Sequence, residues 1–179
     1  MDELQRLSTE EFHASLKSPI VVILENVRSM HNVGSVFRTC DAFRVEKICL
    51  CGYTPRPPHR DINKTALGAT ETVEWAGYED GLTAVAQLKE QGYSVYTIEQ
   101  VHNSISLESF NYQSGEKIAL VFGNEAEGVS EELIAAADGC IEIPQFGSKH
   151  SFNISVAAGI VLWELCKSQA QQKIIDIRN

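Results

Sequence analysis

Three stretches of this 179-residue chain carry side chains that could do chemistry together: NVRSMHNVGSVFRTCDA from Asn26 to Ala42, LVFGNEAEGVSEEL from Leu120 to Leu133, and IEIPQFGSKHSFNISVAAGI from Ile141 to Ile160. Each sets Asn, Arg, Ser or Gly where an apolar run gives way to a loop or helix, which is where open parallel sheets bind their ligands. Arg38 offers a planar, permanently charged fork that can grip a phosphate and steady negative charge growing on an oxygen. Asn32, Ser151 and Asn153 are neutral hydrogen-bonding groups, and Glu125 adds a carboxylate. Gly123, directly after an apolar run, would let a ligand approach the backbone.

These groups need a scaffold, and the rest of the chain supplies its signals. Apolar runs at Ile20–Leu24, Lys47–Cys51, Thr72–Trp75, Tyr93–Ile98, Ile118–Phe122 and Cys140–Ile143 are short and turn-bounded, as buried parallel strands are. Helical stretches at Asn32–Phe43, Gly81–Glu90, Ser130–Ala137 and Asn153–Ala170 separate most of them. The expected fold class is α/β, a mostly parallel sheet flanked by helices. Ser8 to Lys17 reads as a short opening helix, with Ser8 and Glu11 spaced as a capping box. Gly52 to Glu71 is the only long stretch read as irregular.

Several candidate site residues have a plainer structural reading beside the chemical one. Asn32 and Ser151 both suit a helix N-cap, and Ser130 before Glu131 and Glu132 reads as a cap with favourable first-turn charge. In the first stretch Val33, Val36, Phe37, Cys40 and Phe43 form one helical stripe, and Arg38 projects about 150° from its centre. It therefore faces away from this helix's own core. Asp41, three residues on, could pair with it in a surface contact of a few tenths of a kcal/mol.

Composition sets separate bounds. A 44% hydrophobic content over 179 residues suffices for one core, divided here into a short helical extension (1–18), one main domain (19–170) and a tail (171–179). No apolar run approaches the roughly 20 residues that cross a bilayer, and residues 1–18 lack a signal-peptide layout, so a cytoplasmic protein is expected. Cys40, Cys49, Cys51, Cys140 and Cys166 form no CxxC pair and read as buried free thiols. The net charge of −9 is unevenly spread: between Asn26 and Lys64 seven basic residues face three acidic ones. A local positive face can coexist with an acidic body.

The three stretches, in order and spacing, resemble the signature motifs of the SpoU (TrmH) family of RNA ribose 2′-O-methyltransferases, in the SPOUT superfamily. The likeness runs from about Ile20 to Lys167. It implies transfer of a methyl group from S-adenosylmethionine to a ribose 2′-hydroxyl of tRNA or rRNA, a homodimer, and a C-terminal trefoil knot after about Lys117. It implies Arg38 as the catalytic arginine, six residues after the motif Asn at Asn32, with Asn32 positioning the ribose or Arg38. Ser151 and Asn153 would hold the substrate or Arg38, and Glu125 would be structural or catalytic. Gly123 would belong to the cofactor turn, and Ile143 and Phe152 would flank the adenine with main-chain contacts.

Guanidinium pKa values above about 12 make Arg38 a costly free base. It is expected instead to bind the neighbouring phosphate and stabilise the developing alkoxide, with phosphate or water accepting the proton. Arg28, Arg56, Arg60 and Lys64 are the expected RNA contacts, the last three on a proline-rich flap within Gly52–Glu71 whose plainer reading is a stiffened surface loop.

The chain departs from the family pattern at Gln145, where Met is usual, and at Phe152, where Leu is usual. Only some 18 residues precede the first strand, so RNA recognition is expected to use the fold's own surface or a partner. The last helix is apolar almost all round at Val156, Ile160, Val161, Leu162, Trp163 and Leu165, as a helix enclosed either by the core or by a second subunit would be.

Other classes lack their signals. There is no strand followed by GxGxxG, no GxxxxGK[ST], and His13, His31, His59, His102 and His150 are too scattered for a metal site. The remaining alternative is a non-catalytic RNA-binding module that keeps the fold, against which the presence of Arg38, Asn32, Ser151 and Asn153 counts.

Overall fold

The computed structural model describes residues 7–148 and 151–178, with side chains as far as Lys167. Seven strands, β1 (Ser18–Glu25), β2 (Val45–Cys51), β3 (Glu74–Tyr78), β4 (Ser94–Ile98), β5 (Ile105–Ser106), β6 (Ile118–Phe122) and β7 (Gly139–Glu142), form one sheet in the order β3-β2-β1-β6-β4-β7-β5. Every strand pair is parallel. The expected α/β class is thus observed. Helices α1 (Thr9–Ala14), α2 (Met30–Ala42), α3 (Arg60–Ala66), α4 (Ala69–Thr72), α5 (Gly81–Glu90), α6 (Glu131–Ala136) and α7 (Ile154–Arg178) cover the sheet.

Strand periodicity divides the core in two. Ile20, Val22, Leu24, Ile48, Leu50, Leu120 and Phe122 point to a layer built from α2, α3 and α7. Val21, Ile23, Cys49, Cys51, Ala119 and Val121 point the other way, toward α5 and α6. Successive strand residues face opposite sides, so a central strand covered on both must be apolar throughout. The PIVVIL run within β1 meets that demand, with Ser18 and Glu25 only at its two ends. All five cysteines are buried and free, as expected.

The chain leaves β1 and β6 in opposite directions. From β1 it crosses through α2 to β2; from β6 it crosses through α6 to β7. Because β1 and β6 are neighbours, their carboxyl ends flank a topological switch point, the place where such sheets open a crevice.

The capping box of α1 is formed, with Glu11 accepting from the Ser8 amide at 2.7 Å and Ser8 Oγ accepting from the Glu11 amide at 3.2 Å. Boundaries elsewhere shift. The run expected as a strand from Thr72 begins at Glu74, because Thr72 closes α4 and its hydroxyl donates to Asp41 at 2.5 Å. Asp41, offered as an ion-pair partner for Arg38, is not among the ion pairs of the described residues. The last helix continues past Ala170, its expected end, to Arg178.

The largest correction concerns Gly52–Glu71, which is not an irregular flap. It contains α3 and α4, and Ile62 and Ala66 are buried in the core. Gly34 on α2 explains why: a Cβ there would lie 2.2 Å from the Ile62 carbonyl oxygen and 3.1 Å from the Ala66 nitrogen. Only a residue without a side chain admits the α3 backbone so close. Among the described residues no helix is long and apolar enough to cross a membrane.

Candidate active site

The three motif stretches meet at the carboxyl edge of the sheet through one carboxylate. Glu125, in the turn after β6, accepts hydrogen bonds from the Arg28 amide at 3.0 Å, the Ser29 amide at 3.1 Å and Asn32 Nδ2 at 3.0 Å. Asn32 Oδ1 in turn accepts from Asn153 Nδ2 at 3.1 Å. Asn153 Oδ1 takes the Ser155 amide at 2.9 Å and the Ser155 hydroxyl at 2.6 Å. Side chains 93 and 121 residues apart in sequence are thereby joined in one relay.

Glu125 acts on α2 as an anion at a helix start, where backbone N–H groups have no helical partner and the dipole favours negative charge. Burial pushes its pKa up, but the hydrogen bonds from the Arg28 amide, the Asn32 side chain and the turn's own backbone outweigh it, and the net value lies below the ordinary 4.5. A carboxylate held so is a poor proton acceptor near neutrality. Its geometry is that of an organiser.

Helix capping falls elsewhere than the plainer readings placed it. Ser29, not Asn32, caps α2, its hydroxyl accepting from the Asn32 amide at 3.2 Å. Asn32 is thus free to face Glu125 and Asn153. At the start of α7 Asn153 rather than Ser151 takes the cap, receiving the Ser155 amide on its side chain and the Ala157 amide on its carbonyl. Ser130 does precede α6, yet its hydroxyl donates to buried Glu25 at 2.6 Å instead of capping the helix.

Beside the relay lies an open cavity of about 460 Å³. Ile98 and Phe122 at the ends of β4 and β6, Ile143 after β7, and Ile154 and Ala157 of α7 make its apolar wall. The turn 123–128 makes its polar wall, and Gln145, Ser151, Phe152 and Asn153 also line it. Glu99 reaches the same turn, accepting from the Val129 amide at 3.1 Å.

Gly123 lines this cavity, and its missing side chain is also needed by the turn itself. A Cβ there would lie 2.2 Å from the carbonyl of Gly128. The turn folds back on itself, with Asn124 and Gly128 exchanging backbone hydrogen bonds at 2.9 Å, so close packing of the cavity wall requires the glycine. Asn124, a motif residue to which the sequence reading gave no role, secures the turn: Oδ1 accepts from the Ala126 and Glu127 amides, while Nδ2 donates to the Asn26 carbonyl and to Tyr53 Oη.

Arg38 is exposed on α2 and does not line the cavity. It follows Asn32 by six residues, about 9 Å along the helix and roughly 120° around it. Arg28 is exposed beside the relay, its guanidinium held above its ordinary pKa by the hydrogen bond it donates to Tyr53 and by nearby Glu127 and Glu125.

The other expected RNA contacts stand apart from the cavity. Arg56 donates to the Tyr78 carbonyl at 2.8 Å and lies over Gly77, where a Cβ would strike its guanidinium. Lys64 pairs with Asp61 at 2.7 Å, and Arg60 is exposed at the start of α3. His150 lies outside the described residues; among those described no cluster of three His, Cys, Asp or Glu side chains could hold a metal ion.

A nucleotide-sized cavity at the carboxyl edge of a parallel sheet, beside a polar relay drawn from three distant segments, defines an α/β enzyme built on a switch point. Residues 19–163 match the model of the SpoU rRNA Methylase family, and the chain belongs to that family.

The tRNA (guanosine(18)-2′-O)-methyltransferase of Thermus thermophilus is 33% identical over 174 residues, covering 97% of this chain and 88% of the relative. Among solved structures, the TrmH/SpoU tRNA modifying enzyme of Aquifex aeolicus superposes with a TM-score of 0.79 at 26% identity, over 92% of this chain and 82% of the other. An AdoMet-bound rRNA methyltransferase from Sinorhizobium meliloti gives a TM-score of 0.78 at 27% identity, over 92% and 62%.

Proposed function

We infer that this protein is an S-adenosylmethionine-dependent RNA methyltransferase acting on a ribose 2′-hydroxyl of tRNA or rRNA. The observation that carries this reading is the Glu125–Asn32–Asn153 relay set against the 460 Å³ cavity. The lining fits the cofactor: apolar Ile98, Phe122, Ile143 and Ile154 suit an adenine ring, and the carboxylates of Glu99 and Glu127 suit a cationic sulfonium. Gly123, Ile143 and Phe152 would hold it. When bound, S-adenosylmethionine supplies the electrophilic methyl group.

The chain's own residues then have to present an oxygen and tolerate its charge. Asn32 and Asn153, locked in register by each other and by Glu125, orient the ribose, and Ser151 faces the same space. Arg38 grips the phosphate next to that ribose and stabilises the alkoxide as its proton leaves to phosphate or water.

Arg38 stands outside the cavity of its own copy, so we assign it to the cavity of a second copy. An exposed apolar stripe supports the pairing: Phe152, Val156 and Trp163 are 41%, 49% and 55% exposed, with Ile160 half-buried between them. Gly159 lies on the same face, and nothing in its own subunit stands within 4 Å of where its Cβ would be. A glycine costs a helix about 1 kcal/mol relative to alanine, which close approach of a partner helix would justify. Trp163 also touches Phe43 at the end of α2, ring centroids 6.5 Å apart, so the stripe runs beside the helix that carries Arg38. The site is therefore that of a homodimer, working in the cytoplasm where its RNA is.

The test is calorimetry with S-adenosylmethionine followed by transfer of a labelled methyl to mixed tRNA and rRNA, with the modified nucleoside identified. Cofactor binding and label on a ribose are expected. Binding without transfer to any RNA would instead favour a non-catalytic RNA-binding module.

A further inference from the structure

We propose that Tyr53 is an RNA-binding residue, a fixed aromatic platform on which an unpaired base beside the methylated ribose stacks while Arg28 meets an adjacent phosphate. The inference rests on the RNA-methylation reading above. Buried tyrosines ordinarily hide the ring and leave the hydroxyl near water. Tyr53 does the reverse.

It is 53% exposed and belongs to neither apolar core. Its hydroxyl accepts from Asn124 Nδ2 at 2.9 Å, and its amide donates to Asn26 Oδ1 at 3.3 Å. The preceding turn is built for this hold: Gly52 has φ +64°, and Asn26 Oδ1 lies 2.0 Å from where a Cβ on Gly52 would sit. With both polar groups engaged, the ring is what remains for solvent.

Position gives the ring its use. Asn124 and Arg28 flank Glu125, whose other oxygen fixes Asn32, so the platform stands beside the place the sugar must occupy. Unstacked bases are recognised on aromatic faces whatever their identity, and a ring already fixed in place loses little freedom on binding. The exposed Arg28 charge beside it suits the phosphate linking that base to its neighbour.

The experiment compares wild type, Tyr53→Ala and Tyr53→Phe for affinity to mixed tRNA, S-adenosylmethionine affinity by calorimetry, and mass by sedimentation. Tyr53→Ala should lose roughly 5- to 100-fold in RNA affinity, while Tyr53→Phe, which keeps the face, stays within about 3-fold of wild type. Cofactor affinity and mass should be unchanged in both, and the KM for RNA, not kcat, should rise in Tyr53→Ala. Unaltered RNA affinity in Tyr53→Ala overturns the proposal, as does equal damage from Tyr53→Phe, which would make the hydroxyl a brace only. Loss of cofactor affinity or of dimer mass would also overturn it. If wild type binds RNA but methylates no ribose, the catalytic reading fails while the affinity comparison still decides the platform; wild type that binds no RNA overturns both.

Discussion

Glu125→Gln is the most searching single change, because it keeps the size of the side chain and removes only its ability to accept everywhere. The carboxylate takes three donors at 3.0–3.1 Å, two on Oε1 and one on Oε2. In glutamine one of these atoms becomes an NH2 group, so a donor faces a donor whichever way the amide is turned. Hydrogen bonds to a charged acceptor contribute about 1.5–3 kcal/mol each when buried, but Glu125 is exposed and water can replace part of that, so a net loss of about 1–2 kcal/mol is expected. For a chain of this length that lowers Tm by about 2–8 °C.

Activity should suffer more than stability, since Asn32 loses its anchor and a small displacement of a positioning group costs up to about 100-fold. The pH dependence follows from the sign of the shift. With its folded pKa below 4.5, Glu125 contributes stability that is fully present above the unfolded value and is lost as pH falls through the folded one. The melting temperatures of wild type and Glu125→Gln should therefore differ at pH 7 and converge at the acid end. Thermal melts from pH 3 to 8 and single-turnover methyl transfer measure both effects. A variant with unchanged Tm and kcat within about twofold of wild type would refute the organising role argued from hydrogen-bond strengths.

Other consequences are separable. Arg38→Lys keeps the charge but not the planar fork, and should lower kcat by about 100-fold or more while cofactor affinity by calorimetry holds. Mixing Arg38→Ala with Asn153→Ala subunits should restore about a quarter of wild-type turnover, because half of randomly paired dimers would carry one intact cross-subunit site; no recovery would place Arg38 and its cavity in one copy. Trp163→Glu puts a charge in the exposed stripe and should give a monomer by sedimentation that binds RNA weakly and does not transfer methyl groups. Gly34→Ala forces a Cβ to within 2.2 Å of the α3 backbone and should destabilise by about 1–3 kcal/mol in urea titration. Arg60→Glu should weaken RNA binding and flatten its salt dependence by about one unit of slope, leaving cofactor affinity intact.

Local sequence carried much of this protein's design openly. The apolar runs of β1 and β6 can only be strands covered on two faces, and the Ser8–Glu11 spacing is a capping box because three residues span one helical turn. The motif residues Asn32, Glu125 and Asn153 could be singled out because the order and spacing of their stretches resemble the SpoU signature motifs; residue type alone would have left Asn32 as a helix cap. What local sequence could not express was partnership. That Asn32 leaves capping to Ser29 and instead bridges Glu125 and Asn153 depends on chain segments 93 and 121 residues away, brought together only by the strand order.

The same limit explains the misread stretch after β2. Its prolines and charges look like a loose loop, yet α3 forms there because Gly34 leaves room for its backbone and the core takes Ile62 and Ala66. Propensity is a sum over neighbours in sequence, whereas burial is a sum over neighbours in space. Tyr53 shows the difference in one residue: its type is plain in the sequence, but only the fold ties its hydroxyl to Asn124 and leaves it 53% exposed.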